Sequence, residues 1–248
     1  MNGEYKEWDE VPTAKPRGKS LWIIAVLFIA FVFWSNGREK TRPDLYIVGF
    51  DAASSVDVDL AYGYASLIAD TIISSTGIKA ETGLQLSSRM KNTPVLTGVL
   101  SNDRLVVTLI GAKGRMLWTS NPMQAHKNVT GIVTSTVRNA AHYLELDIDD
   151  DQQLDNYPAG SIKGWLAYVR AKGSYVQLAT GQNVDTALVK SHVVDMTKVL
   201  HAYAPVHWLA GQIFEQMGDD DIARASYMKA IELDPLLASV VPSWVLGF

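Results

Sequence analysis

The sequence predicts an α+β chain: one N-terminal transmembrane helix, a small mixed α/β sheet domain, and then an α-helical hairpin array. Three observations predict it. An apolar run without a charge lies between Lys19 and Arg38, a set of β-rich runs with tight turns fills the middle, and helical periodicity takes over from Ile162 onward.

The apolar run is Leu21-Trp-Ile-Ile-Ala-Val-Leu-Phe-Ile-Ala-Phe-Val-Phe-Trp34. As a helix it would measure about 21 Å, and the uncharged window 20–37 reaches roughly 27 Å, close to the ~30 Å hydrocarbon core once flanking Lys19 and Arg38 snorkel to the interfaces. Trp22 and Trp34 stand where headgroup-level aromatics are expected. A cleaved signal peptide would need small residues after its apolar core, and Phe31-Val-Phe-Trp34 is bulky to the end. A buried core helix would show a polar face, which this run lacks. Basic residues balance on the two sides, Lys15, Arg17 and Lys19 against Arg38, Lys40 and Arg42, so orientation is read from size. The short tail 1–19 is no working domain, which puts the N-terminus in the cytoplasm and the C-terminal domains in the periplasm, single-pass in the inner membrane.

The tail mixes acids and bases around Pro12 and Pro16 with little apolar content and reads as disordered. Residues 38–44 form a linker. Composition fits an ordinary globular remainder: 48% of the 248 residues are apolar and 19% charged, enough to close a core. The net charge of −4, with no basic cluster, argues against a nucleic-acid partner. The sequence has no cysteine, so an exported domain holds by packing alone, with neither disulfides nor thiolate metal ligands.

From Asp44 to Phe50 the chain reads as a buried strand. Asp51 to Asp59 is a Ser/Asp loop, and Leu60, Tyr64, Leu67, Ile68 and Ile72 recur at helical spacing up to Gly77. Ile78 to Thr82 reads as a second strand and Leu84 to Lys91 as a short helix or loop. Val95–Leu100, Arg104–Ile110 and Arg115–Thr119, separated by Ser101-Asn-Asp103 and Gly111-Ala-Lys-Gly114, predict a three-stranded antiparallel meander. Its cover is a helix from about Lys127 to Leu144, with Val129, Ile132, Val133, Val137, Ala140, Ala141 and Leu144 on one stripe. This order, a strand ending at Phe50, the helix around Ala61-Tyr-Gly63, the meander ending Met116-Leu-Trp118 and a closing helix, resembles the TolB-like N-terminal domain over residues 45–146. That domain is also the first periplasmic part of CadC-type sensor regulators, and the resemblance implies tetratricopeptide repeats after it.

The acidic run Asp147-Ile-Asp-Asp-Asp151 lacks the Gly and Glu spacing of a calcium loop, so 147–160 reads as a solvated linker. In 161–237, a helix carries Trp165, Leu166, Val169, Tyr175 and Leu178, and a second spans Val184 to Leu200. Pro205 to Pro235 is similar to a tetratricopeptide repeat: Ala210-Gly211, Phe214, Gly218-Asp219, Ala223, Tyr227, Ala230 and Ile231-Glu-Leu-Asp-Pro235. Small residues at Gly211, Ala223 and Ala230 let two helices approach while Phe214 and Tyr227 fill the gap. Trp208 stands one position from the usual aromatic, and His192 stands where the preceding pair calls for a small residue. Two repeats fall short of the three a solenoid normally needs, which calls for packing against the α/β domain or a partner.

No catalytic constellation emerges. The five histidines have no metal-ligand spacing, no nucleophile elbow or Ser-x-x-Lys occurs, and Gly111–Gly114 is a β-turn and not a phosphate loop. Asn128-Val-Thr130 is a glycosylation sequon with meaning only in a eukaryotic secretory route. The chain is therefore not read as an enzyme, and no cofactor, metal or small-molecule substrate is assigned. The expected partners are other envelope proteins, together with the lipid bilayer through residues 20–37. The partner-binding residues named are Trp208, Trp244 and Phe248, the last two on the uncharged tail 238–248, which either caps the repeat or inserts into a neighbour. Two functions fit: an interaction subunit or scaffold of an envelope assembly of secretion, pilus or flagellar type, or a CadC-like sensor. With only 1–19 before the membrane, a sensor would need a separate cytoplasmic partner.

Overall fold

The computed structural model describes residues 44–54, 57–83, 92–148 and 161–246. Its strands are β1 (Leu45–Val48), β2 (Asp51–Ala52), β3 (Ala80–Gly83), β4 (Val95–Ser101), β5 (Arg104–Ile110), β6 (Met116–Thr119) and β7 (Met123–Gln124). Its α-helices are α1 (Val58–Thr76), α2 (Val129–Leu144), α3 (Ile162–Ala179), α4 (Thr186–Val199), α5 (Ala204–Gln216), α6 (Asp220–Leu233) and α7 (Ser243–Leu246), with a 3-10 turn at Pro235–Ser239.

The fold class is corrected in one respect. Among the described residues no helix is long and apolar enough to cross a membrane. The two longest, α1 and α3, carry Asp59 and Asp70, and Lys163, Arg170 and Lys172, respectively. The described fold is thus α+β without a transmembrane helix. The window 20–37 lies outside the described residues, as do the tail 1–19, the linker 38–43, the segment 84–91, the stretch 149–160 and Phe248.

The sheet is mixed, in the order β3-β1-β4-β5-β6. β1 runs parallel to both β3 and β4, while β4, β5 and β6 form the antiparallel meander. The Asn102-Asp103 turn has φ of 48° and 59°, the left-handed pair that closes a two-residue hairpin. Two strands have no counterpart in the sequence reading: β2 pairs with β4, and β7 pairs with β5 beyond β6. Each is two residues long, too short to show a period. Leu45, Ile47, Leu96, Leu100, Leu105, Val107 and Leu109 turn one face of the sheet into the core.

α1 fills the space between that face and α3. Leu60, Tyr64, Ile68 and Ile72 recur every fourth residue and are fully buried, and the Tyr64 hydroxyl donates to the Ala125 carbonyl. Burial pushes the Tyr64 phenol well above its ordinary range. The helix stops at Gly77, whose φ of 66° suits a residue without Cβ. The opposite face of α1 bears small and acidic residues, and there it meets α3 backbone to backbone. A Cβ on Gly63 would run into the Val169 carbonyl, and one on Gly173 into the Asp59 carbonyl and to 2.8 Å from the Gly63 nitrogen. The stripe on α2 is buried from Val129 to Ala141 and half-buried at Leu144, and Asn128 caps the helix by accepting from the Gly131 N–H at 3.0 Å.

α3–α4 and α5–α6 form two antiparallel hairpins. In the second, the Tyr227 ring lies on Gly211 at 2.6 Å from where a Cβ would sit, and Ala223 and Ala230 are fully buried. α6 ends at Leu233, ahead of Pro235, and Asp234 caps the following turn through the Leu236 N–H at 3.1 Å. The described residues belong to one compact unit, and one core cluster runs from Leu45 in β1 to Val245 in α7. The helical hairpins therefore obtain their missing surface from α1.

Candidate functional site

Trp208 and Trp244 come together at the free end of the helical stack. Trp208 on α5 lies 5.0 Å, ring centre to ring centre, from Tyr227 on α6, and Trp244 on α7 lies 6.3 Å from the same ring, both edge-on. Tyr227 is buried and donates to the Glu215 carboxylate at 2.7 Å. Burial first, and that hydrogen bond second, hold its phenol far above the usual range. Both tryptophans are half-buried, so each serves internal packing and keeps part of its surface outward. Phe248 lies outside the described residues.

The tail after Pro235 folds back over this aromatic group. Val245 is fully buried against it, whereas Leu236 and Val240 point outward, 82% and 63% exposed. From Leu236 to Leu246 no side chain carries a charge. This is capping by the tail itself, and it leaves an apolar outer surface at the end of the stack.

A second constellation was not visible in the sequence. Asp59, at the start of α1 and 8% exposed, accepts from Arg170 of α3 at 3.0 Å and from the Leu60 N–H at 2.8 Å. Asp57 stands 3.7 Å from the same guanidinium. The second Asp59 oxygen faces His192 Nδ1 of α4 at 3.6 Å, and neither atom has a hydrogen-bond partner. Burial lowers the His192 pKa; Asp59 and Asp195 pull it up and Arg170 pushes it further down. The one sequence signal was His192 itself, a large polar residue where a repeat calls for a small one. Nearby, Lys172 pairs with Asp70.

Chemically this cluster is a brace between α1 and the first hairpin. Ser174 lines the adjoining cleft of about 400 Å³, but no hydrogen bond joins it to His192, so carboxylate, imidazole and hydroxyl form no relay. Among the described residues, no group of three His, Asp or Glu side chains has the arrangement of a metal site. Elsewhere Trp165, Tyr168 and Tyr203 pack edge-on, and burial pushes the Tyr203 phenol up to about 12.

No protein-family model matches this chain. No curated protein matches it either. The functional reading therefore rests on the residues and their geometry.

Proposed function

We propose that the chain is a protein-interaction subunit of a bacterial envelope assembly, of secretion, pilus or flagellar type, acting at the periplasmic side of the inner membrane. In this reading 45–146 is a TolB-like domain and 161–237 a pair of tetratricopeptide repeats. The membrane location is taken from the apolar composition of 20–37 alone. The observation that supports a binding role is the end of the helical stack, where a tail without charges sets Trp244 against Tyr227, which also meets Trp208, yet leaves Leu236 and Val240 in solvent. Exposed apolar surface rimmed by polar residues is the usual mark of a protein contact.

The test is mild-detergent extraction of the tagged protein from its own cells, with mass spectrometry of what co-purifies, for the natural chain and for Leu236→Asp/Val240→Asp. The reading expects envelope proteins in fixed ratio with the natural chain and their loss from the variant. A natural chain that purifies alone, and whose deletion changes transcription, would replace this function with the sensor.

A further inference from the structure

A cleft unrelated to the end of the stack opens where β1 and β3 finish. It holds about 260 Å³. Its apolar lining is Ile47 of β1, Ala65 of α1 and Val176 of α3, with Ala179 at the exposed end of α3. Tyr62 of α1 and Tyr175 of α3 stand at its walls, and no ring contact joins the two. Thr82 and Ser66 also line it, with hydroxyls that make no hydrogen bond within the described residues, whereas the Thr180 hydroxyl is committed to the Val176 carbonyl at 2.8 Å.

Three features point to a ligand and to its class. The position is the carboxyl end of two parallel strands joined through a helix, where open α/β sheets leave a crevice for ligands. Among the described residues that line it, none is an acid, a base or a histidine, so the described lining offers no partner to a charged group or a metal ion that gives up water to enter. The volume is just under the ~300 Å³ low end of ordinary ligand clefts, a size that suits one ring system. The Tyr62 and Tyr175 rings can give edge or stacking contact to a ligand, and the Thr82 and Ser66 hydroxyls can give one or two hydrogen bonds.

We propose that this cleft binds a small uncharged aromatic molecule bearing one hydrogen-bonding group. Because α1 and β1 form one side and α3 the other, the ligand would bridge the same junction as the Gly63–Gly173 contact. It would then stabilise the fold by mass action in proportion to its occupancy.

The experiment uses the purified full-length chain with phenol and indole as probes. Benzoate and benzylammonium serve as charged probes of the same ring. Saturation-transfer NMR reports contact and thermal unfolding reports linkage. Ala179→Phe fills the cleft from an exposed position at the end of α3, and Thr82→Val removes a hydroxyl from an exposed strand position. The proposal expects transfer to phenol and indole at millimolar concentration and a rise in unfolding midpoint with probe concentration. Both should be lost in Ala179→Phe and weakened in Thr82→Val, while the two variants alone unfold near the natural midpoint. Absence of transfer to phenol and indole overturns the site, and so does a signal that persists in Ala179→Phe. Equal binding of benzoate or benzylammonium overturns the ligand class.

Discussion

Replacing Gly173 by alanine decides whether the two halves of the chain are joined as described. In an exposed helix interior this exchange would stabilise the protein by ~1 kcal/mol, because glycine is the poorer helix former by that amount. Here the new methyl would enter the space held by the Asp59 carbonyl and come to 2.8 Å from the Gly63 nitrogen. Both obstacles are backbone, so no side chain can rotate away and the helices must separate. Overpacking of this kind costs ~1–3 kcal/mol. The upper end applies because separation also stretches the Arg170–Asp59 ion pair at 3.0 Å. Set against the propensity gain, the net loss is ~2 kcal/mol, or a midpoint lower by ~4–8 °C in a unit of about this size. Urea and thermal unfolding of the purified chain measure it. Gly63→Ala should behave alike, and the double variant should cost less than the sum, since helices already parted accept the second methyl more cheaply. A midpoint that rises in Gly173→Ala would refute the backbone contact, because only the propensity term would remain.

Truncation after Pro242 removes Val245, fully buried, and the Trp244 edge on Tyr227; unfolding should show a loss of at least ~1.5 kcal/mol, and an unchanged stability would mean the tail is no cap. Tyr227→Phe deletes the 2.7 Å hydrogen bond to Glu215 and should cost about 1.5 kcal/mol in denaturant titrations, as is usual when the acceptor is charged. His192 gives a pH signature of definite sign. Its folded pKa lies below the ordinary value of 6.5, so above that pH neither state is protonated and the site is neutral for stability. As pH falls below 6.5 the unfolded chain takes up the proton first, and native stability declines until the folded pKa is passed. In urea titrations from pH 7 to pH 5, His192→Phe should flatten that decline relative to the natural chain, and an identical slope in both would remove His192 as its source.

What could be read from the sequence divides along a physical line. Periods were legible: Leu60, Tyr64, Ile68 and Ile72 at helical spacing, Val129 to Ala141 of the stripe on α2, and Gly211, Ala223 and Ala230 of the last hairpin reappear as buried positions, and the meander around Asn102-Asp103 reappears as β4, β5 and β6. Long-range pairings were not. Arg170 meets Asp59 across 111 positions, and nothing local to either residue announces the other. The same holds for Gly63 and Gly173: each is one small residue in a helix, and only the crossing gives it meaning. The Asp51–Asp59 stretch read as a plain Ser/Asp loop, although Asp59 lies in the first turn of α1 and anchors the buried cluster. The strands β2 and β7 were missed because two residues carry no alternation. The aromatic pair Trp208 and Trp244 was named from side-chain size alone, and the structure added Tyr227 as the ring that joins them.

The join at α1 also determines which part of the helical stack is available for further packing. Two hairpins alone would have two unsatisfied ends. At the first, α1 lies on α3 with its backbone in contact, and Asp59 and Asp70 meet Arg170 and Lys172, which fixes rotation about the helix axes as well as distance. Charge pairing of this sort, half-shielded from water, is costly to break from one side, since the partner would be left uncompensated. That end therefore admits no additional helix without dismantling the join. At the other end the cover is a 3-10 turn and a single turn of helix, held by Val245 and the Trp244 edge, with Leu236 and Val240 still outside. A partner that extends the stack must add here, over α6 and the tail. Its contact should accordingly be lost on Leu236→Asp and indifferent to Lys163→Ala, whose amine pairs with Asp195 on the surface of the first hairpin.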